Sequence, residues 1–298
     1  MEEELRIERR PKLRRPALVC AFRGWNDGGQ GASLAGSFLA RAWGGERFAE
    51  IDPEFFFDFQ ATRPHISFTE GTTRRIDWPE NGFFAAALAD SPRDVVLLLG
   101  TEPNLRWRTF CGLVTSLALD VGVELVVTLG SLLADVPHTR PAPVTGNATD
   151  PDLISRLGLQ ASRYEGPTGI VGALHDACRA TQIPSLSLWA AVPHYVSMTP
   201  SPRAAKALSD RLAALLEVPL DTSELDEASE AYMEQVSEAV AADAETAAYV
   251  DELERRVDEL MDERDLPSGD TLAAELTRFL RERERDDDGG GDAARGGH

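Results

Sequence analysis

Two nearly continuous apolar runs, VVLLL at 95–99 and LVVTL at 125–129, constrain the fold of this chain more than any other feature. A strand that is apolar at almost every position must be covered on both faces. A sheet flanked by helices on both sides provides that cover, and a one-sided antiparallel sheet does not. Around these runs, apolar segments alternate with amphipathic ones from residue 17 to residue 220. The pattern predicts strands at 17–22, 54–59, 65–69, 74–78, 83–88, 95–100, 124–129, 160–164 and 185–191. It predicts helices at 31–43, 107–121, 150–157, 168–180 and 202–216. Alternation of this kind requires crossover connections, so the expected class is α/β: three layers, a mixed sheet with helices on both faces. The denser strands between Phe48 and Leu88 suggest an antiparallel insertion.

At Asp221 the chain changes character. The net charge is −20, and from position 221 onward 25 acidic residues face 8 basic ones, against 25 and 22 in the first 220. Leu225, Tyr232, Val236 and Val240 form one helical stripe, and Tyr249, Val250, Leu253, Val257, Leu260 and Met261 form another. A third helix is expected from Thr271, using Leu272, Leu276, Phe279 and Leu280. The expected organisation is an α/β core at 1–220, an acidic helical extension at 221–285 and a disordered tail at 286–298. Neither part carries the basic stripe that phosphate backbones demand, so no nucleic acid partner is expected. No apolar run reaches the length of a membrane span, and the charged opening MEEELRIERRPKLRRP leads into no signal segment. Cys20, Cys111 and Cys178 lie in apolar stretches, as buried thiols of a reducing compartment would, and the expected location is cytoplasmic.

Polar loops follow the predicted strands. The first, Gly24-Trp25-Asn26-Asp27-Gly28-Gly29, joins a strand to a small-residue helix. It reads either as an anion cradle at a helix N-terminus or as a tight corner with Trp25 plugging the core. The arrangement is neither GxGxxG nor GxxxxGK, so it supports no nucleotide-binding assignment. The second, Gly100 to Trp107, would bring Glu102, Asn104 and Arg106 to the same rim, as a polar pocket or as loop caps with a Glu–Arg pair. A third loop carries Asp135, His138 and Arg140 and continues through Val144-Thr145-Gly146-Asn147-Ala148. There Asp135 could orient His138 as a base, although no nucleophile motif accompanies it. In a fourth, Thr168 can cap the following helix, and in a fifth Pro193-His194-Tyr195 makes a rigid exit from a strand. The spacing of His138, His175 and His194 matches no metal-ligand pattern, and neither metal nor cofactor is expected.

Taken in order, GWNDGG with Gly31-Ala32, TRP at 62–64, GTEP at 100–103, PHTRP at 137–141, YEGPTGI at 164–170 and SLWAAVPHY at 187–195 resemble one family. It is the proteasome assembly chaperone 2 family of bacteria and archaea, and the resemblance spans roughly residues 15 to 216. The acidic extension is similar to that of the bacterial branch. The resemblance implies a core like the nucleoside phosphorylase/hydrolase fold and homo-oligomers, trimers among the bacterial members. It also implies protein binding in proteasome assembly. The family's recurring positions here include Gly24, Pro64, Gly100, Pro103, Pro137, Gly166, Pro167, Gly169 and Pro193, and none brings a catalytic role with it. The candidate pocket or interface residues are Trp25, Asn26, Asp27, Gly28, Arg63, Glu102, Arg106, Asp135, His138, His194 and Tyr195. The leading reading is a non-catalytic, homo-oligomeric protein-binding module with partners such as proteasome components. The alternatives are a small-molecule-binding enzyme or sensor with a phosphorylase-like pocket, and a purely structural trimer.

Overall fold

The computed structural model describes residues 4–69, 73–148, 150–161, 165–196 and 200–265. The third helix expected from Thr271, the tail at 286–298 and the end of the strand expected at 160–164 lie outside them. The chain divides into two compact units. Met1–Ala247 holds the sheet and its flanking helices, and the described part of Ala248–His298 is most of helix α7 (Ala244–Asp265).

The elements of the first unit run β1 (Leu5–Ile7), β2 (Ala17–Arg23), α1 (Gly31–Ala42), β3 (Glu46–Ile51), β4 (His65–Thr69), β5 (Thr73–Asp77), β6 (Asn81–Ala86) and β7 (Val95–Thr101). They continue with α2 (Trp107–Asp120), β8 (Leu125–Ala134), β9 (Val144–Ala148), α3 (Pro151–Leu157), β10 (Gln160–Ala161), α4 (Ile170–Ala180), β11 (Ser185–Pro193), α5 (Pro202–Leu216) and α6 (Ser223–Ala241). Among the described residues nine strands form one mixed sheet in the order β1-β3-β6-β7-β2-β8-β11-β9-β10. Strands β7, β2, β8 and β11 are mutually parallel, and β1, β3 and β6 add antiparallel strands on one side. The expected three-layer mixed sheet is therefore present. The two apolar runs occupy β7 and β8, on either side of β2, where both faces are covered.

One face of the sheet packs Val19, Ala21, Leu97 and Leu129 against α1 and α5. Helix α1 comes close because it is built of small residues: a Cβ at Gly36 would lie 2.7 Å from Leu99 Cδ2 and 2.9 Å from Ala21 Cβ. The other face packs Leu18, Phe22, Leu98 and Val126 against α2 and α4. There Phe110 meets Phe22 and Phe56 edge to face, with ring centroids 6.1 and 5.6 Å apart.

Three differences from the sequence expectation have physical causes. Residues 54–59 are not a strand: Pro53 starts a 3-10 turn, Pro53–Phe55, and Asp52 accepts the Glu54 N–H at 3.0 Å. The strand lies just before it, in β3, where a bulge between Arg47 and Ala49 breaks the period of two and hides the alternation. Strand β1 is masked by charge, since Arg6 faces Glu50 across the pair and also binds Asp52 at 2.5 Å.

Candidate functional site

The parallel strands β2, β7, β8 and β11 end on the same edge of the sheet, where the loop after β2, the end of β8, the start of α4 and strands β9 and β11 line a cleft of about 670 Å³. Trp25, Asn26, Asp27 and Gly28 form one wall, Ser131, Leu132 and Leu133 continue it, and Thr168, Val171, Gly172 and His175 of the α4 start and first turns form another. Trp189, Ser187, Thr145 and Asn147 line the cleft from β11 and β9.

The loop after β2 is held by two carboxylates. Asp27 Oδ1 accepts the N–H groups of Ala32 and Ser33 at 2.9 and 3.1 Å and the Ser131 hydroxyl at 3.4 Å. It therefore caps the start of α1 from inside the protein. Glu102 accepts the Trp25 N–H on Oε2 at 3.1 Å and the Ile170 N–H on Oε1 at 2.7 Å, which caps α4. The two helix N-termini that border the cleft are thus occupied by the protein's own carboxylates, and the anion-cradle reading of the glycine loop is not what forms. Nor does Trp25 plug the core, being 64% exposed at the mouth of the cleft. Gly24 takes φ +141°, and a side chain there would meet Glu102; at Gly28 a Cβ would lie 3.1 Å from Leu132 Cα and Leu133 N.

His175 is half-buried in the cleft wall. Its Nε2 is 3.0 Å from Thr128 Oγ1 and its Nδ1 is 2.9 Å from Ser185 Oγ, and burial pulls its pKa from 6.5 down to about 4. The ring is therefore neutral at physiological pH.

Of the sequence-derived candidates, Trp25, Asn26, Asp27 and Gly28 are brought together in the cleft, with Glu102 bracing the loop from behind. The others are placed elsewhere. Arg63 is exposed beyond the turn that Asn104 holds through Asp58 and Thr62. Arg106 does not pair with Glu102. It starts α2 with φ +55°, binds Glu4 at 2.6 Å and lies over Phe55 and Phe56. Asp135 does not orient His138; it lies 3.1 Å from His194 Nδ1 at the surface. His138 is buried instead, with Nδ1 2.9 Å from the Tyr195 hydroxyl and Nε2 3.1 Å from Ser237 Oγ of α6. It ties the loop after β8 to the acidic helix. The start of α4 is capped by Glu102 rather than Thr168, whose hydroxyl turns to Gly169 O at 3.4 Å. Sequence reasoning missed Thr145 and Asn147, because Gly146 and Asn147 read as a loop. The available signal was the alternation of Val144, Gly146 and Ala148 with those two polar residues.

A mixed sheet between two helical layers, with a crevice at the carboxyl ends of its parallel strands, defines a three-layer α/β protein of the open-sheet class. Within that class the chain belongs to the PAC2 family, which it matches over residues 21–240. A PAC2 family protein of Streptomyces avermitilis is 47% identical over 79% of this chain and 99% of its own, with a TM-score of 0.73. The proteasome-assembly chaperone homologue Rv2125 of Mycobacterium tuberculosis is 44% identical over 78% and 99%, with a TM-score of 0.72. Rv2714 of the same organism, a protein of unknown function, is 30% identical over 88% and 93%, with a TM-score of 0.80. No curated protein matches the chain. Among the described residues no helix is long and apolar enough to cross a membrane, and no group of His, Cys, Asp and Glu is placed to hold a metal.

Proposed function

We propose that this protein is a non-catalytic, homo-oligomeric module that binds other proteins in the manner of a proteasome-assembly chaperone. The observation that carries this reading is the hairpin β4–β5, which stands as a sheet of its own. Ile66 pairs with Ile76 and Phe68 with Arg74, so the period of two puts all four on one face. Ile66, Phe68 and Ile76 are 59%, 62% and 52% exposed. A two-stranded hairpin is marginal by itself in water, and an exposed apolar face of this kind marks a surface that another protein covers. A second copy of the chain is the occupant we assign, with three copies as the expected assembly. The 44% identical relative described as a proteasome-assembly chaperone homologue supports proteasome components as partners. The non-catalytic side is supported by what the ionisable candidates do: Asp27 and Glu102 cap helices, and His138 holds α6.

The test is sedimentation of the full chain mixed with purified proteasome core subunits at low salt. A co-sedimenting complex is expected. Independent sedimentation at concentrations of roughly tens of micromolar contradicts the chaperone-like role.

A further inference from the structure

We propose that the cleft at the strand ends binds an uncharged planar heteroaromatic ring, a nucleobase or its nucleoside, and discriminates against the phosphorylated form. The site is distinct from the hairpin surface and does not depend on it.

The volume of about 670 Å³ suits a small molecule. Trp189 offers an aromatic face: a Cβ at Gly130 would lie 2.5 Å from its ring, so the glycine in β8 lets the indole lie against the sheet. The register of β9 against β11 sets Thr145 beside Trp189 and Asn147 beside Ser187, and all four line the cleft. One flat apolar surface is thereby edged with an amide and two hydroxyls. The side chains of Thr145, Asn147 and Ser187 hydrogen-bond to no described residue. Ser187 is largely buried, 7% exposed, yet lines the cleft.

Charge narrows the ligand further. Among the described residues the ionisable side chains lining the cleft are Asp27 and His175. Asp27 Oδ1 is engaged by two amides and a hydroxyl, and both His175 ring nitrogens are hydrogen-bonded. Among the described residues no Lys or Arg lines the cleft, and the first amides of α1 and α4 are already capped by Asp27 and Glu102. A phosphate would therefore find neither a cation nor an open helix end. A neutral base stacks on an indole, and its donor and acceptor edge suits an asparagine amide.

The experiment is calorimetric titration of the full chain with adenosine, uridine, their monophosphates and glucose. We expect at least one nucleoside to bind with Kd below about 1 mM, with its monophosphate weaker by roughly tenfold or more through uncompensated charge. Ser187→Ala and Asn147→Leu should each weaken the nucleoside about five- to tenfold, the effect of one lost hydrogen bond, with unchanged thermal melting. If Asn147→Leu fails to fold, Ser187→Ala decides. No nucleoside binding at millimolar concentration, equal or tighter binding of the monophosphate, binding of glucose alone, or nucleoside binding indifferent to Ser187→Ala each overturns the proposal.

Discussion

Asp27 shows how a residue that reads as contact chemistry becomes architecture. Its carboxylate sits where the glycine loop, the first turn of α1 and Ser131 of β8 meet, and it serves all three. Asp27→Ala should cost about 2 kcal/mol and lower the melting temperature by about 4–8 °C; a variant that melts like the parent would show the cap to be dispensable. Gly28→Val should prevent soluble folding. The cause is the nearby Leu132 and Leu133 backbone, since Gly28 is not among the positive-φ glycines. His175 gives a pH dependence with a definite sign. Its folded pKa, about 4, lies below the unfolded 6.5, so the unfolded chain takes up the proton first as pH falls. Stability is full above about pH 7 and falls between pH 6.5 and 4, by up to about 3 kcal/mol from this residue. Urea midpoints at pH 7 and 4.5 should differ less for His175→Gln than for the parent; equal differences would remove His175 from the account.

At the level of elements, legibility followed local chemistry. The start of α5 is written as Ser201-Pro202, a cap accepting the Ala204 N–H followed by a proline at the first helical position, and its boundaries read directly from the sequence. Strand β7 and most of β8 were equally plain because both faces are apolar. Strand β9 was not, because its polar residues face the cleft and its glycine mimics a turn. The candidate site was legible only where the residues adjoin in sequence, as in Trp25 to Gly28. Arg106 looked like a rim residue, but the positive φ at the start of α2 and the Phe55–Phe56 surface take its side chain elsewhere. Nothing local told that His138 would seek Ser237, 99 residues away. That contact predicts an element-scale effect. Ser237→Val removes a hydrogen bond of the buried His138 imidazole, at a cost of about 1–3 kcal/mol. Hydrogen exchange should then quicken in α6 while the β2, β7 and β8 amides stay protected; uniform protection would mean that α6 is held by other contacts alone.

At the scale of the whole molecule, family membership was legible because several loop motifs recur in a fixed order, each tied to the end of a strand or the start of a helix. The surface proposed for assembly was not legible. Ile66, Phe68 and Ile76 read as an ordinary alternating hairpin, and only their exposure on a separate two-stranded sheet distinguishes them from core residues. The chain also carries a net charge of −20, which opposes non-specific association, so the proposed self-association calls for a defined apolar surface. Light scattering of the full chain at low micromolar concentration tests this most directly. The proposed trimer has three times the chain mass of 32.5 kDa, and Phe68→Asp is expected to be a single chain with an unchanged melting profile. A parent protein that elutes as one chain, or a Phe68→Asp variant that assembles like the parent, would contradict it.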